Sequence, residues 1–422
     1  MRRLLRPSVL ALAVAGCGCG RSMVYELPEP EPQSLPSELP ERCPPPPPPA
    51  PVPPLPGSRM VELWRRTFEP SRAATSLGLD AEGRLLAYFQ ADDPANSTIQ
   101  AYDPSTGEPL AAFPAPFESM PQFSVKGDEV VVSGGPGSPT IHSKRCAGSG
   151  WTDLDVAGVQ CYWPTCQFSI APAGDRLAVR AFDRVLIVGL PANRIEQWID
   201  ASHPGNAPQS NVWRSDSRVA AVAWSSTGDL LVWLDTPNGF QSFAGAEVCT
   251  PTKPAMTLVE FSETFSLKWA TSLSGGCTDL GDVPTGYLET TADGSISWYA
   301  TVHGGAAWGA WQLGPSSPSA SQVSQPPRES FLASADQDGR PAWAHTTRDA
   351  TPSTGPSGLT VSLSANALVA LGPDGLPLGP STPLPFEVEH ERSPILVTSD
   401  DRAFVAANGL RHSQLIAYQL ER

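Results

Sequence analysis

The chain has 422 residues, with 43 Asp and Glu against 28 Lys and Arg, which leaves a net charge of −15. A surface this acidic repels a phosphate backbone, and Arg65-Arg66 beside Trp64 is too small a basic patch to offset it, so nucleic acid is excluded as a partner. Beyond Ser58 no apolar segment is long enough to cross a bilayer as a helix, and the roughly 365 residues there suffice for one large repetitive domain or two ordinary ones.

In chain order, the first element is residues 1–16. Basic Met1-Arg2-Arg3-Leu4-Leu5-Arg6, the apolar run Val9 to Val14 and small Ala15-Gly16 have the layout of an export signal. The apolar run is half a bilayer span or less, so it is predicted to be cleaved. Val14-Ala15-Gly16-Cys17 resembles the bacterial lipobox. That resemblance implies that the Cys17 thiol receives a diacylglycerol, that the peptide ahead of it is removed, and that a lipid anchor of palmitate type holds the chain to a membrane. Gly18, where an Asp would hold the chain back, implies the outer membrane of the bacterial cell envelope. An ordinary secretory signal cut near Cys17 or Cys19 is the competing account, and Arg2-Arg3 alone is weak support for a twin-arginine signal.

Residues 17–57 change composition sharply. Glu26, Glu29, Glu31, Glu38 and Glu41 alternate with prolines, and Cys43 leads into Pro44 to Pro49. Such chain buries little apolar surface and lacks backbone donors, so it is predicted to be a disordered tether. In polyproline II at about 3.1 Å per residue it would hold the domain up to roughly 100 Å from its anchor. A ligand for proline-binding modules is the weaker alternative.

An exported chain meets an oxidising compartment, so disulfides are the default for the cysteines. Cys161 and Cys166 flank Pro164 closely enough to close a small loop, Cys249 and Cys277 are a second candidate pair, and Cys146 has no obvious mate. No Cys-x-x-Cys with histidines at ligand spacing supports zinc.

Residues 58–422 read as all-β, in short alternating runs separated by turns that carry an acid or Asn next to Gly. The turn recurs at Asp80-Gly83, Lys126-Glu129, Pro172-Asp175, Thr227-Asp229, Ala292-Gly294 and Gln337-Gly339, and without the glycine at Ser399-Asp401. Repeats at this spacing predict a β-propeller of about seven four-stranded blades, six to eight being the range. A pair of two-sheet sandwiches is the runner-up. Ala101-Tyr102-Asp103-Pro104-Ser105-Thr106-Gly107 resembles the turn of the pyrroloquinoline-quinone-like propeller repeat, and Leu368 to Gly375 does so more loosely. The tryptophan that usually ends that repeat is Ala111 here. Leu415 to Leu420 resembles the third strand of a last blade and Met60 to Trp64 its outer strand, which implies a WD40-like closure in which the two chain ends pair and remove a sheet edge.

The search for chemistry is mostly negative. No adjacent cysteines suggest a quinone cofactor, so no cofactor is expected, and no metal site is expected either. Asp336-Gln337-Asp338-Gly339 begins like a calcium loop but lacks the closing carboxylate, and reads as a plain turn. Six scattered histidines, His142, His203, His303, His345, His390 and His412, give no pair at helical spacing. No Gly-x-Ser-x-Gly occurs, and Gly134-Gly135-Pro136-Gly137 lacks the lysine of a phosphate loop. No catalytic residue is nominated. Trp298, Trp308 and Trp311 around His303-Gly304-Gly305 read as filling between blades, with a carbohydrate platform as the alternative. Glu387, Glu389 and Glu391 would share one face of an extended, solvated strand, with His390 on the other. The expectation is a membrane-anchored, non-enzymatic lipoprotein that presents a propeller surface to an unknown protein or glycan partner, as an interaction or envelope scaffold. The alternative is a hydrolase or lyase, or a carbohydrate-binding protein, working at the central channel.

Overall fold

The computed structural model describes residues 58–421 apart from short stretches, the longest being 156–167, 201–217, 278–286 and 314–327. The export signal and the tether lie outside the described residues, as do Cys17, Cys146, Cys161 and Cys166.

Short alternating runs separated by tight turns fold here as antiparallel meanders. After β1 (Arg59–Phe68), the strands β2 (Ala74–Leu79), β3 (Leu85–Phe89), β4 (Thr98–Tyr102) and β5 (Pro109–Pro114) form one four-stranded sheet in that order. The next blade is β6 (Phe123–Lys126), β7 (Glu129–Ser133), β8 (Thr140–Arg145) and β9 (Thr152–Asp155). It is followed by β10 (Phe168–Ile170), β11 (Arg176–Ala181), β12 (Arg184–Gly189) and β13 (Arg194–Asp200). The strands β14 (Arg218–Trp224) and β15 (Leu230–Thr236) are separated from their blade partners by a hairpin, β16 (Phe240–Phe243) and β17 (Ala246–Cys249). β18 (Ala255–Phe261) and β19 (Leu267–Cys277) complete that blade. β20 (Tyr287–Thr290), β21 (Ile296–Trp308), β22 (Trp311–Leu313), β23 (Arg328–Ala335) and β24 (Pro341–Thr347) build the next one. The end of β19 pairs with the end of β21, so these two blades run together as a nine-stranded sheet. β25 (Thr351–Thr354), β26 (Thr360–Ser364), β27 (Ala367–Leu371) and β28 (Thr382–Pro383) make a further blade. The last holds β29 (Ile395–Val397), β30 (Arg402–Asn408) and β31 (Ser413–Glu421).

Among the described residues the result is an all-β propeller of four-stranded blades arranged as six large sheets, the nine-stranded one spanning two repeats. It falls within the predicted range of six to eight, and the sandwich alternative is set aside. The ring closes as the resemblance implied. β1 is the outer strand of the last blade and pairs with β31 from Arg59↔Glu421 to Phe68↔Ser413, with a bulge between Glu62 and Trp64.

The blade turns explain the glycine pattern. In the first, the Asp80 amide donates to the Arg84 carbonyl at 3.1 Å, and the Gly83 amide donates to the Asp80 carbonyl at 3.0 Å. The Asp80 carboxylate accepts from the amides of Glu82 and Arg84 at 3.0 and 2.9 Å. This geometry puts Gly83 at φ 75°, where a side chain is strained. The closing blade, whose turn lacks glycine, puts Asp401 at φ 60° instead. Two details of the predicted series need correction. Gln337-Gly339 joins the third and fourth strands of its blade, β23 and β24, whereas the other predicted turns join first to second strands. The first-to-second turn between β25 and β26 is Gly355-Pro356-Ser357-Gly358, which carries no acid or Asn and so escapes a search keyed on those residues.

Blades pack face to face through two devices. The second strands are buried on both faces, as in Leu85 to Phe89, and each such large side chain taken from water stabilises the fold by about 1.5–3 kcal/mol. Around the nine-stranded sheet the filling is aromatic: Trp233 stacks on Trp298 with ring centres 4.3 Å apart, and Trp308 and Phe331 meet Trp298 edge-on at 4.8 and 5.3 Å. The second device docks an outer-strand tryptophan on the turn glycine of the next blade. Trp64 of β1 covers Gly107 and donates its indole N–H to the Pro104 carbonyl at 3.1 Å. Trp343 of β24 covers Gly375 and donates to the Pro373 carbonyl at 2.9 Å. The ring of Trp269 of β19 also covers Gly339. A Cβ on Gly107 or Gly375 would stand 2.6 or 2.5 Å from the indole, so only glycine admits the ring.

Candidate functional site

A propeller blade leaves its innermost strand with a free edge towards the central channel, and those unpaired amides and carbonyls need partners. The innermost strands here are β2, β6, β10, β14, β20, β25 and β29, each in contact with the next around the ring. Side chains from one inner strand satisfy the edge of its neighbour. Ser169 of β10 accepts from the Trp224 amide of β14 at 3.2 Å, and Ser353 of β25 accepts from the Val397 amide of β29 at 3.1 Å. Both serines lie two residues ahead of the first residue of their blade turn, Ala171 and Gly355.

At the seam between β20 and β25 the same position holds a carboxylate. Glu289 lies two residues ahead of Thr291, which opens its turn, and Glu289 Oε2 accepts from the Thr354 amide at 2.7 Å. The same amide donates to the Tyr287 hydroxyl at 2.5 Å, and Tyr287 and Glu289 also hydrogen-bond to each other. Strand alternation explains the pairing: Leu288 points into the aromatic cluster on one side, while Tyr287 and Glu289 face β25, half-buried at the channel wall. Burial pushes the Glu289 carboxyl up to about 7, against the opposing pull of Tyr287 and the Thr354 amide. Burial first, and then the carboxylate beside it, raises the Tyr287 hydroxyl well above its ordinary value. Among the described residues, no cation acts on the pair.

The residues singled out in the sequence fall elsewhere. Trp298 and Trp308 are fully buried in the inter-blade cluster, in line with the reading as packing between blades and not as a sugar platform. Asp336 closes a turn through the amides of Asp338 and Arg340 at 3.0 and 2.8 Å, as a plain turn requires. Glu387 is exposed in the connection between β28 and β29 and not in a strand, which corrects the expected charged strand, and 389–392 lie outside the described residues. Cys249 ends β17 and Cys277 ends β19, strands of different sheets. Among the described residues, no group of three His, Cys, Asp or Glu could hold a metal ion. Glu289 and Tyr287 were not nominated by the sequence. Aligning the repeats on their turns would have exposed them, because Glu289 then falls in a column with Ser169 and Ser353.

The two faces of the ring differ. First-to-second and third-to-fourth turns share one face and are short, such as 80–84, 225–229 and 336–340. On the other face lie the ends of the second and fourth strands, such as Asp200, Thr236, Cys277 and Trp308. Leu410, 87 % exposed, lies on that face between β30 and β31.

No protein-family model matches the sequence, and no curated protein matches it. Among solved structures, the chain is similar to BamB from Moraxella catarrhalis, at 12% identity over 82% of this chain and 85% of that one, with a TM-score of 0.45. It is also similar to the RRP9 WD40 repeats, at 10% identity over 86% of this chain and 100% of that one, with a TM-score of 0.51. At these identities the likeness shows the fold alone, a WD40-like β-propeller.

Proposed function

We propose that the chain is a protein-binding scaffold of the bacterial envelope. Residues 1–16 act as its export signal, Cys17 carries the lipid, the tether of 17–57 spaces it from the outer membrane, and the ring of 58–422 presents its long-loop face to a partner. The observation that carries this reading is the asymmetry of the ring. One face is closed by short, internally bonded turns, while the strand ends on the other are separated by the longest intervals of sequence and flank the exposed Leu410. Exported cysteines are expected to pair, Cys161 with Cys166 and Cys249 with Cys277. Cross-linking in intact membranes followed by identification of the captured chain tests the scaffold, and recovery of one protein, lost when the ring is unfolded by heat, is the expected result. Labelling with a radioactive fatty acid tests the anchor, with Cys17→Ser expected to abolish the label.

A second reading, a hydrolase or lyase working in the channel, is favoured by one observation: the Glu289 carboxyl, raised to about 7, is suited to proton transfer near neutral pH. Turnover of a glycan or lactone by the purified protein, lost in Glu289→Gln, is the outcome that would select it.

A further inference from the structure

The geometry points to Glu289 and Tyr287 as a binding site in the channel wall for a ligand that presents a protonated amine. The inference is independent of the scaffold reading and rests on the seam between β20 and β25.

The scaffold does not require an acid at this position. At two other seams of the same ring, a serine two residues ahead of the turn caps the neighbouring inner-strand amide: Ser169 to Trp224 and Ser353 to Val397. At the third, Glu289 does the same work for the Thr354 amide at 2.7 Å, and brings a charge and a tyrosine with it. A hydroxyl would satisfy that amide without placing a carboxyl where burial opposes its ionisation.

Among the described residues, no cation acts on the charge. β25 presents Pro352, Ser353 and Thr354, the residues opposite Tyr287 and Glu289 on β21 are Tyr299 and Ser297, and the end of β14 presents Ala223 and Trp224. None of these is a cation, and the groups described as acting on Glu289 are Tyr287 and the Thr354 amide. A half-buried carboxylate with two donors and no cation is complementary to an ammonium from the channel, whose charge-assisted bond is about twice as strong as a neutral one. The Tyr287 ring beside it adds a face that attracts cations. An anion would be repelled, and a neutral hydroxyl would gain less.

Binding is coupled to a proton. Below about pH 7 the Glu289 carboxyl carries its proton, so an arriving ammonium displaces it to the solvent and leaves a carboxylate–ammonium pair. That release separates this site from the many surface carboxylates of a chain with net charge −15, which are already ionised.

The test is calorimetric titration of the full chain in detergent with n-pentylamine, at pH 6 and pH 8, in two buffers of different ionisation enthalpy. The expected result is saturable binding about tenfold tighter at pH 8 than at pH 6, with close to one proton released per amine at pH 6 and almost none at pH 8. 1-Pentanol should not compete. Glu289→Ser, which installs the residue that two other seams use, should bind at least about tenfold more weakly at pH 8 and release no proton. Glu289→Gln, which keeps the volume and the acceptor for Thr354, should lose binding equally, so that a folding defect in one variant leaves the other to decide. Equal binding by either variant, absence of saturable binding at pH 8, or binding at pH 6 without proton release would each overturn the assignment.

Discussion

At the scale of the residue, the ring separates two demands that glycine meets in one place and not in another. Gly83 and Gly375 share φ 75°, but a Cβ on Gly83 meets nothing within 4 Å, whereas one on Gly375 would stand 2.5 Å from the Trp343 ring. Gly83→Ala should therefore cost only the left-handed backbone penalty, about 1 kcal/mol, while Gly375→Ala should cost about 3 kcal/mol because the tryptophan must also leave its seat. Urea unfolding of the two variants measures the difference, and equal costs would mean that the indole does not hold the blades together. Glu289 gives the second residue-scale prediction. Its carboxyl is raised from 4.5 to about 7, so the native state keeps a proton that the unfolded chain has already lost. The contribution is whole below about pH 4.5 and is lost as pH rises through about 7. Glu289→Gln should therefore match the wild type in acid and exceed it at pH 8 by up to about 3 kcal/mol. A constant difference between pH 5 and pH 8 would show that the carboxyl titrates normally.

At the scale of the element, closure depends on a strand that is distant in sequence from its partners. β1 supplies the fourth strand of the last blade and covers β31 along its whole length. A chain beginning after Phe68 would leave β31 as a long, unpaired edge and would remove Trp64 from Gly107. Such a chain should assemble through that edge, and light scattering after size exclusion should find oligomers where the full chain gives a single species. A monomeric product with unchanged melting would show that β1 is dispensable. This closure was legible through the resemblance of Leu415 to Leu420 and Met60 to Trp64 to the third and outer strands of a propeller's last blade. So were the turns, wherever an acid bonds back to the amides, as Asp80 does. The turn at Gly355-Gly358 was not, since Gly355 opens it with no side chain to announce the bond, and Gln337-Gly339 showed the right chemistry at the wrong end of its blade. Turn chemistry reports local geometry and not which pair of strands the turn joins. Glu289 was illegible for a related reason: its meaning lies in what stands at the same place in other blades, Ser169 and Ser353, and that comparison needs the register of the strands.

At the scale of the molecule, a ring of repeats offers two faces, and the chain has invested them differently. The turn face is held by bonds within each turn and by tryptophans docked from the previous blade, so its backbone groups are committed to the scaffold. The opposite face holds the connections whose lengths vary most, which is where a repeat fold can change what it recognises without disturbing its core. Two exposed leucines let the faces be compared directly. Leu376, 59 % exposed, sits in the turn between β27 and β28, and Leu410, 87 % exposed, sits between β30 and β31 on the long-loop face. Neither supports the core, so a glutamate at either should change stability by less than about 0.5 kcal/mol. If the long-loop face receives the partner, Leu410→Glu should reduce cross-linked recovery at least about tenfold, because a charge placed in an apolar contact is left unpaired, whereas Leu376→Glu should leave recovery unchanged. The opposite ranking would move the binding surface to the turn face, and equal recovery from both variants would place it away from either leucine.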